Sequence, residues 1–87
     1  MDRHELRAAL REMVEETTGE PCAAIEDGQN LREGLGLDSV DLFSLVIETQ
    51  TRFRIKIATA DLEGIERVGQ YLDLVEEKLA ALQSQAA

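Results

Sequence analysis

The chain has 87 residues, of which 18 are aspartate or glutamate and 9 are lysine or arginine, giving a formal net charge of −9. A chain this short forms one domain with a thin core, which leaves little room for an enclosed substrate cavity and argues against an independent enzyme. The acidic excess would repel nucleic acid and favours partners with basic surfaces. We expect one domain over residues 1–87, ordered from about residue 3 to about residue 82.

Neither a metal site nor membrane insertion is expected. Cys22 is the only cysteine and His4 the only histidine, and two soft ligands are too few for a zinc site. Cys22 follows Pro21 in a loop, and we interpret it as a small packing residue. The chain opens with charged residues and has no apolar stretch near the roughly 18 residues of a membrane span. We expect a cytoplasmic monomer.

The first predicted element is an amphipathic helix from Arg3 to about Thr17. Its apolar residues recur every three or four positions, the period of a helix with one buried face. They are Leu6, Ala9, Leu10, Met13 and Val14. Gly19 and Pro21 end the helix, because glycine accepts the left-handed conformation at a helix C-terminus and proline cannot continue the hydrogen-bond ladder.

A long loop follows over residues 22–38. Three leucines in this loop are expected to turn towards the core: Leu31, Leu35 and Leu37. A loop of this length is uncommon in a compact domain and usually has a function. The second predicted helix then runs from Ser39 to about Phe53. Asp38 is placed to cap its N-terminus, and Asp41 completes a pattern like a capping box.

After the second helix we predict a connector, a short helix and a final long helix. Residues 54–57 alternate like a strand but have no partner strand, so they form an extended connector with inward isoleucines. Thr59 caps a short helix that ends at Glu63, the last helix covers about residues 67–82, and residues 83–87 fray. The expected fold is all-α: a small four-helix bundle of three longer helices and a short third helix, with a long loop between helices 1 and 2.

The second predicted helix has two apolar stripes. The first is an ordinary core stripe of Leu42, Leu45, Val46, Thr49 and Phe53. The second consists of Val40, Phe43 and Ile47. Because a helix on the outside of so small a bundle needs one buried face, the second stripe is either buried between two neighbouring helices or available to a partner or an apolar cargo.

Ser39 lies in the first turn of the second helix. Unpaired backbone N–H groups and the helix dipole favour a negatively charged group at that position, such as a phosphodiester. Taken alone, however, an Asp-Ser pair is common, and a plain capping role for Ser39 or Asp38 explains it better.

The residues on both sides of the Asp-Ser pair favour a functional role over plain capping. Residues 35–42 read Leu-Gly-Leu-Asp-Ser-Val-Asp-Leu, and this string at a loop-to-helix junction resembles the attachment motif of the acyl carrier protein family. The resemblance covers most of the chain. Further matching positions are Leu31, Phe53, Ile57 and Val68. It implies that a phosphopantetheinyl transferase attaches a 4′-phosphopantetheine arm to Ser39, and that Asp38 helps the transferase and later partners to engage.

The same resemblance implies a non-catalytic carrier in fatty acid, lipid or secondary-metabolite biosynthesis. The arm would hold acyl or aminoacyl groups as thioesters and deliver them to enzymes that load or transfer acyl groups. Basic docking surfaces on those enzymes would be attracted to the acidic carrier. The expected contact residues are Val40, Asp41, Phe43, Ile47 and Glu48.

The charge pattern departs from the family at one place. Fatty-acid carriers of this type usually have acids along and just after the second helix, whereas this chain has Ser44 and then three basic residues, Arg52, Arg54 and Lys56. Either these basic residues meet acidic groups on a partner unlike the general fatty-acid synthase enzymes, or they are solvated charges that suit a helix C-terminus.

An unmodified helical interaction module is the alternative function, because the stripe of Val40, Phe43 and Ile47 could bind a partner without a prosthetic group. Catalysis by the chain is not expected. The residues around Ser39 do not form the nucleophile elbow of a hydrolase, and His4 alone cannot complete a catalytic triad.

Overall fold

The computed structural model describes residues 2–22 and 24–86, with backbone alone for the last three of these. The described ranges contain three α-helices, α1 (Arg3–Thr18), α2 (Ser39–Phe53) and α3 (Val68–Ala86), and a short 3-10 helix at Thr59–Leu62. Within them no strand forms, and Asn30 and Arg67 make an isolated bridge. No helix found there is long and apolar enough to cross a membrane. The predicted all-α bundle with its long first loop is confirmed.

Local capping sets both ends of α1. The Asp2 carboxylate accepts a hydrogen bond from the Glu5 N–H at 2.8 Å, so one of the unpaired donors of the first turn is satisfied. At the other end Gly19 adopts a φ of 74°, and its N–H donates to the Glu15 carbonyl. All five predicted apolar residues of α1 are buried, which confirms the helix and its inward face.

One hydrophobic cluster forms the core, with buried residues from all three α-helices and from the segments between them. Leu31 and Leu37 of the long loop belong to this cluster, as predicted, whereas Leu35 is only partly buried. Ile55 and Ile57 of the connector are also buried. The loop is therefore packed onto the helices through its own side chains.

A buried polar contact links α2 and α3 inside this cluster. The Tyr71 hydroxyl donates to Thr49 Oγ1 at 2.7 Å, and Thr49 Oγ1 donates to the Leu45 carbonyl at 2.7 Å. Tyr71 is 1% exposed and Thr49 is 0% exposed. Because buried hydroxyls are costly when unpaired, these bonds allow both polar groups to remain in the core.

Backbone hydrogen bonds hold the long loop against the start of α3. They join the Leu31 N–H to the Glu66 carbonyl, the Val68 N–H to the Gln29 carbonyl, and the Gly69 N–H to the Asp27 carbonyl, each at 2.9 Å. Glycine is favoured at position 69, because a Cβ there would lie 3.1 Å from the Asp27 Cβ and 3.2 Å from its carbonyl oxygen. The first turn of α3 thus uses the loop as its N-terminal cap.

The Asp27 side chain ties this loop to α1. Its Oδ1 accepts from Arg7 Nη2 at 2.7 Å, and its Oδ2 accepts from Arg3 Nη2 at 3.2 Å. Arg3 extends the network to α3 through Asp73 at 2.7 Å and Glu76 at 2.9 Å. The hydrogen bond from Arg7, with a smaller one from Arg3, holds the pKa of Asp27 below its ordinary value against the opposing effect of desolvation.

The predicted short helix has the wrong cap and the wrong end. Thr59 is its first residue, and the N-cap position belongs to Ala58. The Ala58 N–H donates to Asp61 Oδ2 at 2.9 Å, so a carboxylate from within the helix pairs with the N-cap N–H, and no side chain caps the first turn. The helix ends at Leu62 instead of Glu63.

The last helix is longer than predicted. It begins at Val68, one residue after the expected start, and its backbone stays helical through Ala86. The predicted end at Leu82 is therefore wrong, whereas the predicted fraying of residues 83–87 stays a prediction, and Ala87 lies outside the described residues. No glycine or proline follows Leu82, so the chain has no strong stop signal there.

We predict that Asp27→Asn lowers the free energy of unfolding by about 1 kcal/mol at neutral pH, a modest value because the carboxylate is partly exposed. Since the folded-state pKa is depressed, this contribution is present above the unfolded-state pKa of about 3.9 and is lost as pH falls through the lower folded-state pKa. Urea unfolding at about pH 7 and about pH 3 measures the change. Asp73→Asn, at a more exposed site with one contact to Arg3, is the control and should cost less; equal losses would contradict the prediction.

Tyr71→Phe should remove the buried hydrogen bond while keeping the ring, at a cost of about 1 kcal/mol. Burial raises the pKa of Tyr71 to about 12, so wild-type stability should fall as pH rises above the unfolded-state pKa of about 10. Tyr71 is the single tyrosine of the chain, so tyrosinate absorbance follows this group alone. The variant should lack the corresponding alkaline loss in unfolding free energy; an identical alkaline profile would show that Tyr71 is not responsible.

Candidate attachment site at the start of α2

Ser39 is the first residue of α2, and its side chain is exposed. The helix begins here because Asp38 Oδ1 accepts from the Asp41 N–H at 2.8 Å, while Asp41 Oδ2 lies 3.5 Å from the Asp38 nitrogen. This is the predicted capping box. Leu37, just before it, is 3% exposed and anchors the chain in the core. Ser39 therefore projects into solvent from a backbone that is fixed on both sides.

The N-terminus of α2 also has backbone N–H groups that can donate hydrogen bonds. The Leu42 N–H donates to the Asp38 carbonyl, but among the described residues the N–H groups of Ser39 and Val40 have no acceptor. Such groups carry the positive partial charge of the helix dipole and bind anions. An anionic substituent on Ser39 Oγ would lie at this positive end.

Arg32 of the long loop contacts the Ser39 hydroxyl directly. Its Nη2 donates to Ser39 Oγ at 2.5 Å. Arg32 forms no ion pair with any described residue, although Glu33 and Asp38 are close to it in the sequence. Arg32 was not among the predicted site residues, because a contact across seven positions of irregular backbone leaves no periodic signal in the sequence.

The turn over residues 30–35 fixes the backbone of Arg32. Asn30 Oδ1 accepts from the N–H groups of Arg32 and Glu33 at 2.8 and 3.0 Å, and the Asn30 carbonyl accepts from the Gly34 N–H at 2.8 Å. A Cβ at position 34 would lie 2.6 Å from that carbonyl oxygen, so the turn requires glycine. An asparagine followed four residues later by glycine was the available sequence signal for an ordered turn.

The second apolar stripe of α2 is uncovered. Val40, Phe43 and Ile47 are 72%, 67% and 46% exposed, respectively, so the alternative of burial between two helices is wrong. Asp41 and Glu48 lie on the same helix and are partly buried. α2, which begins at Ser39, thus presents an apolar surface and also carries acidic residues.

The three basic residues after this surface have different environments. Arg52 pairs with Glu12 of α1, with Nη2 and Oε2 3.1 Å apart. Arg54 is the C-terminal cap of α2 with a φ of 56°, and Lys56 is exposed on the connector. Arg52 therefore forms a surface ion pair with α1. Contact of Arg52, Arg54 and Lys56 with acidic groups of a partner stays a prediction.

The residues around Ser39 suit an anionic substituent on its hydroxyl. Among the described residues, the one side chain that hydrogen-bonds Ser39 is the Arg32 guanidinium, which offers hydrogen-bond donors and no acceptor. The same guanidinium and the free N–H groups suit a phosphodiester on Ser39 Oγ. These residues fit a prosthetic group that another enzyme attaches.

Residues 8–75 match the protein family described as "Phosphopantetheine attachment site". The acyl carrier protein of Saccharopolyspora erythraea is 34% identical over 87 residues, covering 100% of this chain and 92% of that protein. The acyl carrier protein of Thermotoga maritima is 32% identical over 77 residues, covering 88% of this chain and 95% of that one. The meromycolate extension acyl carrier protein of Mycolicibacterium aurum is 28% identical over 79 residues, with coverages of 87% and 81%.

Solved structures of acyl carrier proteins have a similar fold. The crystal structure of an acyl carrier protein from Thermotoga maritima matches with a TM-score of 0.85 and 28% identity, covering 94% of this chain and 95% of that chain. A solution structure of a holo acyl carrier protein from Geobacter metallireducens shares the fold, with a TM-score of 0.80, 22% identity and 91% coverage of both chains. A match to an attachment-site family argues against the alternative of an unmodified interaction module. The chain belongs to the acyl carrier protein family, whose members are non-catalytic carriers of acyl groups on a phosphopantetheine arm.

Proposed function

We propose that Ser39 is the attachment residue of this carrier and that the exposed face of α2 docks its partner enzymes. The observation that supports the proposal most strongly is the exposed Ser39 hydroxyl at the positive end of α2. Asp38 contributes by capping the helix, which fixes the position from which the hydroxyl projects. The proposed carrier domain spans residues 1–87, and its cytoplasmic location and monomeric state stay predictions.

Attachment is a phosphoryl transfer in which this chain supplies the nucleophile. The Ser39 oxygen attacks the phosphorus of coenzyme A that bears the pantetheine, and the new Oγ–P bond replaces the P–O bond to the nucleotide. Adenosine 3′,5′-bisphosphate leaves with the electron pair of that bond, and the serine proton goes to a base on the phosphopantetheinyl transferase. The fixed, exposed position of Ser39 suits this reaction, because positioning the nucleophile removes much of the entropic cost.

Once loaded, the carrier acts by tethering. A thioester on a flexible arm is confined near whichever enzyme has docked, so its effective concentration depends on the reach of the arm and not on its bulk concentration. The enzymes that load and transfer the acyl group perform the chemistry. The carrier therefore needs a surface that many acyl-handling enzymes can recognise in turn.

The face of α2 next to Ser39 has the properties of such a surface. Phe43 is 67% exposed and can serve as an aromatic anchor, the kind of residue on which binding energy concentrates. Val40 and Ile47 extend the apolar contact, while Asp41 and Glu48 supply negative charge for enzymes with basic surfaces. The net charge of −9 would accelerate encounter with such enzymes, and less so at high salt.

Ser39→Ala should abolish arm attachment without unfolding the protein, because an exposed hydroxyl contributes little to stability. Intact mass after incubation with coenzyme A and a phosphopantetheinyl transferase is the measurement. The wild type should gain the mass of one arm. Ser44→Ala, a change at an exposed serine of the same helix, is the matched control and should gain the same mass; an arm on Ser39→Ala would overturn the assignment.

Phe43→Ala should reduce the kcat/KM of arm attachment by about tenfold through weaker docking, with a change in unfolding free energy of about 0.5 kcal/mol or less. Leu82→Ala is the control, because Leu82 is also an exposed apolar residue but lies on α3. Its kcat/KM should stay within about twofold of wild type. Similar losses for the two variants would mean that α2 is not the preferred docking face.

A further inference from the structure

Arg32 differs in its partner from the three arginines of the chain that form ion pairs. Arg3, Arg7 and Arg52 pair with carboxylates, whereas the guanidinium of Arg32 contacts a neutral hydroxyl, Ser39 Oγ. In a chain with nine more acidic than basic residues, carboxylates are abundant. A cation that makes no ion pair with any described residue, yet lies against the proposed attachment oxygen, is suited to a different anion.

The geometry matches a phosphodiester on that oxygen. Oγ would become a bridging atom of the diester. The two non-bridging oxygens on the phosphorus would then be two bonds away from Oγ. Arg32 Nη2 already lies at hydrogen-bond distance from Oγ. A guanidinium presents several N–H donors in one plane and binds two oxygens of a phosphate at once. A small rotation of the side chain would move its donors from Oγ to those oxygens.

The surroundings explain why such a cation is needed. Asp38 and Asp41 form the capping box at this helix start, so two carboxylates flank the place where another negative charge is to be added. Their repulsion would oppose the added charge. The free N–H groups of Ser39 and Val40 supply partial positive charge, and Arg32 supplies a full one. The Asn30 turn holds the arginine backbone in place, which limits the entropy lost on binding.

We propose that Arg32 is a positioning residue that binds the phosphodiester of the attached arm and stabilises the developing charge while the arm is installed. This inference rests on the proposed attachment at Ser39. It assigns to the long loop a direct part in the function: the loop carries the counter-charge of the prosthetic group. It also means that the first bonds of the arm are held against the loop while the rest of the arm stays free to move.

The first test uses the wild type alone. We compare the Arg32 Nε–H resonance in the unmodified protein and in the protein carrying the arm. Attachment should shift this resonance and slow its exchange with water by about tenfold, as expected when a guanidinium enters a charge-assisted hydrogen bond. Arg11 is the internal control, since its Nε already donates to the Cys22 carbonyl at 2.8 Å, and its resonance should stay in place. An unchanged Arg32 resonance would overturn the proposal.

The second test compares charge-matched variants. Arg32→Gln should lower the kcat/KM of arm attachment by about tenfold, the effect of losing one charge-assisted hydrogen bond, and Arg32→Lys should recover part of it. In the loaded Arg32→Gln protein, the ³¹P resonance of the diester should move to the position it has in urea-unfolded loaded protein. Arg11→Gln removes the same charge and should leave both the rate and the ³¹P resonance at wild-type values.

The outcomes separate the two proposals. If wild-type Ser39 never receives an arm, the proposed function fails. If Ser39 is loaded, but the ³¹P resonance of Arg32→Gln equals that of the folded wild type, the attachment assignment stands and the role of Arg32 is refuted. A slower rate for Arg32→Gln with an unchanged ³¹P resonance also refutes it, because the arginine would then act on the docked transferase and not on the phosphodiester.

Discussion

The pairing of the long loop with the start of α3 is the constraint on which the rest of the structure depends. Three backbone hydrogen bonds join the segment around residues 27–31 to the segment around residues 66–69, and the Asp27 carboxylate ties the same loop to α1. The irregular backbone of residues 24–38 would otherwise be costly to order. Because the loop is held at this point, Leu31 and Leu37 can pack in the core, and the chain reaches the start of α2 from a fixed direction.

The position of the proposed attachment site follows from that arrangement. A capping box starts α2 immediately after the buried Leu37, so Ser39 is placed on the outside of the first turn. The Asn30 turn, which belongs to the pinned part of the loop, brings a guanidinium to the same hydroxyl. Local positive charge at the helix start thus coexists with a strongly acidic chain. The positive charge at the helix start suits a phosphodiester, and the negative charge of the chain suits enzymes with basic docking surfaces.

Sequence patterns were sufficient for α1, α2 and the family resemblance, and insufficient for the contacts between distant residues. Local signals predicted three features that the structure contains: the inward face of α1, the capping box of Asp38 and Asp41, and the two stripes of α2. The sequence left open whether the second stripe is buried or exposed. The Arg32–Ser39 and Asp27–Arg7 contacts depend on the path of an irregular loop, which has no period. The end of α3 was misplaced because polar residues after Leu82 signal solvent exposure without stopping a helix.

Amide hydrogen exchange tests most directly whether the pairing with the start of α3 holds the long loop as a fixed part of the fold. The Leu31 and Val68 amides donate across the two segments in opposite directions, so release of the loop from α3 would expose both. We predict that both amides are protected and exchange at rates within about tenfold of each other, close to those of the core helices. Free exchange at Leu31 while the amides of α1 and α3 stay protected would show that the loop is not held, and would contradict this prediction.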